Sequence, residues 1–229
     1  MSNNAKVVAI DGPSGSGKST IAKALAKKLN LTYLDTGALY RSIAYTLHHK
    51  NIPAEDINSI EVELNSLTLE YSPEEGILIK VNGTDLTSKI REHFVSELAS
   101  TYSKLPVVRN FLTSFQREFS LTRPSVLEGR DIGTVIFPDA ALKIFLTADP
   151  AVRASRRFEQ LKELGKNITG ISAASIQADI EARDQADKSR SVAPLIKASD
   201  AIEIDTGSLE IDQILNQITN LFKVNPVFK

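Results

Sequence analysis

Residues 12–19 read Gly-Pro-Ser-Gly-Ser-Gly-Lys-Ser, the spacing G-x-x-x-x-G-K-[ST]. A glycine-rich loop of this form lets backbone N–H groups turn inward around a phosphate group. The loop follows a short apolar run, Val7–Asp11, and opens directly into a helical pattern from Ile21 to Leu29. That order brings the positive end of a helix behind the bound anion. Lys18 would then reach the β- and γ-phosphates, and Ser19 would offer a hydroxyl to Mg²⁺. Gly12, Pro13, Ser14, Gly15, Ser16, Gly17, Lys18, Ser19 and Thr20 are accordingly the candidate contacts to a nucleoside triphosphate.

A phosphate loop alone fits a hydrolase, a kinase or a nucleotide-binding regulatory switch. The arginines narrow the choice: of eleven in the chain, five fall between Arg153 and Arg190. Phosphoryl transfer needs cations around the migrating group and around the acceptor. Arginine suits that task because its planar fork holds two phosphate oxygens at once. Three segments carry such residues in motifs. Tyr33–Arg41 (YLDTGALYR) puts Asp35 and Thr36 at a strand end and Arg41 about one turn into a helix. Glu128–Thr134 (EGRDIGT) follows another strand. Arg183–Arg190 (RDQADKSR) aligns Arg183, Asp187 and Arg190 on one face if the helix persists that far.

The elements that must position these groups alternate along the chain. Strands are expected at Val7–Asp11, Thr32–Leu34, Val126–Glu128, Lys143–Leu146 and Ala201–Ile204. Helices are expected at about Lys18–Leu29, Gly37–His48, Pro106–Leu121, Pro150–Leu164 and Leu209–Phe222. This rhythm predicts an α/β fold with a parallel sheet flanked by helices. Ligands in such sheets sit beyond the carboxyl ends of the strands, where all three motifs would emerge. One stretch breaks the rhythm. Leu67–Tyr71 and Ile77–Asn82 read as strands around the turn residues Ser72–Gly76, Asn82-Gly83 is a tight-turn signal, and Thr84–Thr87 adds a third short strand. A β-rich insertion over about residues 62–92 is therefore expected within a single domain of 1–229. A polar segment at about 157–175, between two helical patterns, suits a lid.

Composition bounds the rest. With 229 residues, 42% hydrophobic and 24% charged, the chain can bury one good core. A net charge of −1 supplies no basic field for nucleic acid. Cysteine is absent, which removes disulfides, thiolate nucleophiles and Cys-based zinc sites. His48, His49 and His93 have no metal-site spacing and read as surface residues. The polar Met1–Lys6 runs straight into the first strand and does not read as a secretory leader. No apolar run approaches membrane-spanning length. A cytoplasmic monomer without a membrane or nucleic-acid partner is the expectation.

The stretches IDGPSGSGKST, YLDTGALYR, LEGRDIGTVIFPDAALKIFLTA and RDQADKSRSVAPL, spread over nearly the whole chain, resemble the bacterial cytidylate kinase family of nucleoside monophosphate kinases. The insertion resembles the extra substrate-side lobe of its long type. The resemblance implies an enzyme of pyrimidine nucleotide metabolism that uses ATP and Mg²⁺ to phosphorylate CMP and dCMP. By the same resemblance Arg41, Arg130 and Arg190 hold the acceptor phosphate, with Ser14 and Thr36 nearby. Ser100, Arg109 and Asp131 read cytosine, and Arg183 with Asp187 hold the sugar hydroxyls. Cytosine offers an amino donor beside N3 and O2 acceptors, so one carboxylate plus donors is a fitting set. Arg153, Arg156 and Arg157 fall on the lid-side helix, with Arg157 the favoured triphosphate contact. Asp35 is assigned to a Mg²⁺-bound water. Lys18, Asp35, Arg130, Arg157 and Arg190 make up the catalytic set. Other small-acceptor kinases (UMP/CMP, shikimate or dephospho-coenzyme A type) remain the alternative, beside a regulatory switch. The insertion and the arginine-rich acceptor set argue against shikimate.

Overall fold

The computed structural model describes residues 5–73, 78–163, 165 and 170–228, without the side chains of Ala5 and His93. Its elements run β1 (Ala5–Asp11), α1 (Lys18–Leu29), β2 (Thr32–Asp35), α2 (Thr36–His49), α3 (Ile57–Ser66), β3 (Leu69–Ser72), β4 (Leu78–Val81) and β5 (Thr84–Asp85). Then follow α4 (His93–Tyr102), α5 (Pro106–Leu121), β6 (Ser125–Gly129), β7 (Ala140–Thr147), α6 (Pro150–Glu163), α7 (Ala173–Ser189), β8 (Ile202–Asp205) and α8 (Ile211–Val224). The chain divides into two compact units, one of residues 1–31 with 124–229 and one of 32–123.

In the first unit the strands lie in the order β6-β1-β7-β8, each pair parallel. Val8 stands between Val126 and Leu142, and Ile10 between Glu128 and Ile144. Val7 to Asp11 and all of β6 are buried, as strands covered on both faces must be. Helix α1 buries Ile21, Ala22, Leu25 and Ala26 on one stripe, and its last turn carries Lys27 and Lys28 at the negative end of the helix dipole. It stops at Asn30, whose left-handed backbone (φ 53°) turns its N–H back to the Ala26 carbonyl. Pro150 opens α6 in the first turn, where its missing N–H costs nothing.

The second unit holds β2, helices α2 to α5 and the antiparallel sheet β3-β4-β5. Leu69 faces Val81 and Tyr71 faces Ile79 across the first pair. Asn82 and Gly83 both take positive φ (50° and 77°), as the two-residue hairpin turn between β4 and β5 requires. The Asn82 side chain also accepts the Thr68 N–H at 2.8 Å. Helices α3 and α4, which flank the small sheet, are absent from the sequence expectation. Their short amphipathic patterns were masked by the period-two signal between them. The turn residues 74–77, the expected helix end at Leu164 and lid residues 166–169 lie outside the described residues.

Leu127 is fully buried in the centre of β6. Leu127→Ala is expected to cost about 2–5 kcal/mol, a transfer loss plus a cavity. Urea unfolding followed by circular dichroism measures it through the shift in midpoint.

Candidate active site

The loop between β1 and α1 is shaped by two close approaches. Gly12 has φ 152°, and a Cβ there would collide with the Leu146 carbonyl oxygen. Gly15 has φ 76°, and a Cβ would lie 3.2 Å from the Cβ of Arg153 on α6. Lys18 is the first residue of α1 and only 6% exposed. Its Nζ donates to the Pro13 carbonyl at 2.6 Å and lies 3.5 Å from Ser16 Oγ. Burial, with the Arg130 charge added to it, pulls the ammonium down to about 7; Glu128, Asp11 and Asp184 pull the other way. Ser19 and Thr20 stand exposed beside it in the first turn.

Side chains from distant elements hold the loop from behind. Asp184 on α7 accepts the Ser14 N–H at 2.9 Å. Arg153 on α6 donates to the Ser14 carbonyl at 2.7 Å, to the Ala148 carbonyl at 2.9 Å and to Asp184. Thr206, just past β8, donates to the Ser16 carbonyl at 3.2 Å, and Arg156 in turn holds Thr206. Arg157 is exposed, and its Nη1 donates to Gln160 on its own helix at 2.7 Å.

The segment after β6 supplies a second charged cluster. Arg130 Nε donates to Asp187 Oδ2 at 2.8 Å. Arg190 reaches Asp131 at 3.6 Å and Asp187 at 3.7 Å. Burial opposes the Asp187 charge, but Arg130, Arg190 and Arg183 together hold its carboxyl below the usual carboxylate range. Arg183 and Asp187 stand one turn apart on α7. The helix ends at Ser189, however, and Arg190 has extended backbone (ψ 140°) with its Nε on the Ala193 carbonyl. Arg190 thus joins the cluster by a turn of the chain rather than along a helical face.

Asp131 opens a wide helical turn in which the Ile136 and Phe137 N–H groups bond five residues back, to Asp131 and Ile132. Asp11 anchors that turn. Its carboxylate accepts the Ile132 N–H at 2.9 Å and the Gly133 N–H at 2.8 Å. Burial raises Asp11 to about 6 in spite of those two donors, with Asp131 adding repulsion.

In the second unit Asp35 caps α2, accepting the Ala38 N–H at 2.8 Å, and its other oxygen lies 3.3 Å from Arg41. Thr36 is buried at the helix start. Arg109 on α5 is buried, lies 5.6 Å from the Tyr40 ring centre and donates to the Ser103 carbonyl at 3.2 Å. The Ser103 hydroxyl in turn donates to the Ser100 carbonyl at the end of α4, so Ser100 and Arg109 both bond Ser103 at the α4–α5 junction.

A model of the cytidylate kinase family matches residues 8–224. The chain belongs to that family. It is 45% identical to a cytidylate kinase of Fervidobacterium nodosum, with 94% of this chain and 95% of the relative covered. It is 43% identical to a cytidylate kinase of Clostridium tetani, covering 95% and 93%. Among solved structures, an uncharacterised protein from Eubacterium ventriosum shares the fold at 14% identity and a TM-score of 0.50, covering 95% of this chain and 98% of that one.

Membership in the cytidylate kinase family makes the chain a phosphotransferase with ATP as phosphate donor. This family member has supporting residues that sequence reasoning passed over: Asp184 and Thr206 hold the loop, and Asp11 holds the turn that carries Asp131. Asp11 and Asp184 each adjoin a motif residue, Gly12 and Arg183, yet nothing in their spacing marks them as buried acceptors of backbone N–H groups. The described residues include no group of three or more His, Asp or Glu side chains placed to hold a metal ion, and no helix long and apolar enough to cross a membrane.

The depressed Lys18 makes triphosphate binding a protonation event. The folded, unliganded value lies near 7, below the ordinary lysine range, so above pH 7 most free protein carries neutral Lys18. A bound triphosphate favours the ammonium. At pH 8, calorimetry with a non-hydrolysable ATP analogue in buffers of different ionisation enthalpy is expected to show uptake of on the order of one proton. Lys18→Arg, which stays charged, is expected to show none. No uptake by the parent would contradict the assignment.

Proposed function

We propose that the protein transfers the γ-phosphoryl group of ATP to CMP or dCMP, giving ADP and CDP or dCDP. The observation that carries this reading is a largely buried Arg130–Asp187–Arg190–Asp131 cluster in the same compact unit as the phosphate loop. Two arginines beyond those bound to the loop are what an acceptor that itself bears a phosphate demands. A hydrolase or switch has no use for them.

On the donor side, Gly12 to Thr20 hold the triphosphate, Lys18 neutralises charge on its terminal phosphates, and exposed Arg157 is free to swing onto them. Ser19 has an exposed hydroxyl in the first helical turn, which fits a phosphate-bound Mg²⁺, and the family resemblance assigns Asp35 to a water on the ion. Bound there, Mg²⁺ would neutralise charge as the phosphoryl group moves. For the acceptor, the family resemblance assigns Arg41, Arg130 and Arg190, with Ser14 and Thr36, to the CMP phosphate. Asp131 accepts the cytosine amino group, Arg109 and Ser100 meet the ring acceptors, and Arg183 with Asp187 take the sugar hydroxyls. The attacking acceptor oxygen is already anionic, so these residues position and neutralise without needing a strong general base.

ADP release measured with and without CMP tests the function directly: turnover is expected only when CMP or dCMP is present. ATP consumption indifferent to CMP would favour a hydrolase or switch. Asp131→Ala is expected to erode the preference for CMP over UMP by about ten-fold or more, the worth of one hydrogen bond to a charged group. An unchanged CMP-to-UMP ratio of kcat/KM would remove Asp131 from base recognition.

A further inference from the structure

Ser14 is gripped on both its polar backbone groups by one buried ion pair. Asp184, 5% exposed, takes its N–H, and Arg153, 4% exposed, donates to its carbonyl; the two side chains also bond to each other. The two helices that supply this pair are packed through Ala154, Ile176 and Ile180, with Phe158 and Leu161 against them. Arg153 is further tied to the Ala148 carbonyl, and its own Cβ backs Gly15.

Asp184 also has a telling position on its helix. Arg183 precedes it and Asp187 follows one turn later, and both are assigned above to the acceptor's sugar. Asp184 lies one residue past Arg183 and one turn before Asp187 on the same buried side of α7, and its carboxylate reaches the loop. One end of α7 thus meets the acceptor while the adjacent residue holds a backbone N–H of the donor loop. A buried carboxylate is tolerated in this role because Arg153 neutralises it. Phosphate-loop N–H groups normally serve the donor, so giving one to Asp184 makes the loop's shape depend on where α7 stands.

We infer that Asp184 and Arg153 are positioning residues that couple acceptor binding on α7 to donor binding on the loop through Ser14. Acceptor contacts that fix Arg183 and Asp187 also fix Asp184, and with it the loop conformation the triphosphate needs. Each ligand then lowers the ordering cost of the other, and the coupling is reciprocal. The inference rests on the assignment of CMP as acceptor.

The test is a binding cycle. A non-hydrolysable ATP analogue with Mg²⁺ is titrated by calorimetry into the full chain with and without saturating CMP, and the ratio of the two Kd values is read. For the parent a tightening of about five-fold or more is expected. In Asp184→Asn, which keeps an oxygen but not the charge, the ratio is expected within about two-fold of one. Arg153→Lys keeps the charge but cannot span Ala148, Ser14 and Asp184 together, and is expected to give an intermediate ratio; it decides the matter if Asp184→Asn does not fold. A parent ratio of one, or parent-like ratios in folded variants with lowered melting temperatures, would overturn the inference and leave the pair a structural anchor. A parent that binds no CMP at all would instead overturn the assignment of the acceptor.

Discussion

Lys18 sets a buried ammonium in the first turn of a helix, where the helix's own field is already positive. Without an anion that arrangement is electrostatically unfavourable, and most of the surrounding structure can be understood as its compensation. Asp11, Glu128 and Asp184 face it from β1, β6 and α7, and each opposes the loss of the Lys18 proton. None of these carboxylates quenches the ammonium by direct contact, since its hydrogen bonds go to Pro13 and Ser16. The Lys18 nitrogen therefore remains available to phosphate oxygens, which favour its charged form.

The same carboxylates are occupied elsewhere, and that double use joins the site into one body. Asp11 binds two N–H groups of the turn that carries Asp131, and Asp184 binds the loop and Arg153. Asp187 spans Arg130 and Arg190. Cations and anions alternate through this part of the first unit, so that Arg130, Arg153 and Arg190 each face a carboxylate. A phosphate entering such a network displaces partners that are already aligned and meets little reorganisation.

Much of the scaffold was legible before any coordinates. Helices α1 and α5 begin and end at the expected residues, and the five strands of the α/β alternation differ from expectation by a few residues at most. These segments are governed by local rules: apolar periodicity, a glycine loop before α1, a proline opening α5 and α6. The phosphate loop is legible for the same reason, since its motif is contiguous. Helices α3 and α4 were missed because ten-residue helices give a weak periodic signal beside a hairpin. The end of α7 before Arg190 was likewise invisible, as that turn is secured by bonds from Leu195 and Arg190 to residues several positions away.

Sequence alone determined the donor loop, the parallel α/β plan and the family, because each is written in contiguous motifs whose chemistry is local. Tertiary structure decided which carboxylates hold that loop and the turn that carries Asp131. Ser14 and Asp184 are 170 residues apart, and Asp11 lies 121 residues from the N–H of Ile132. Burial and pairing over such separations depend on how the strands are ordered and the helices packed, and no local pattern of residue types encodes them.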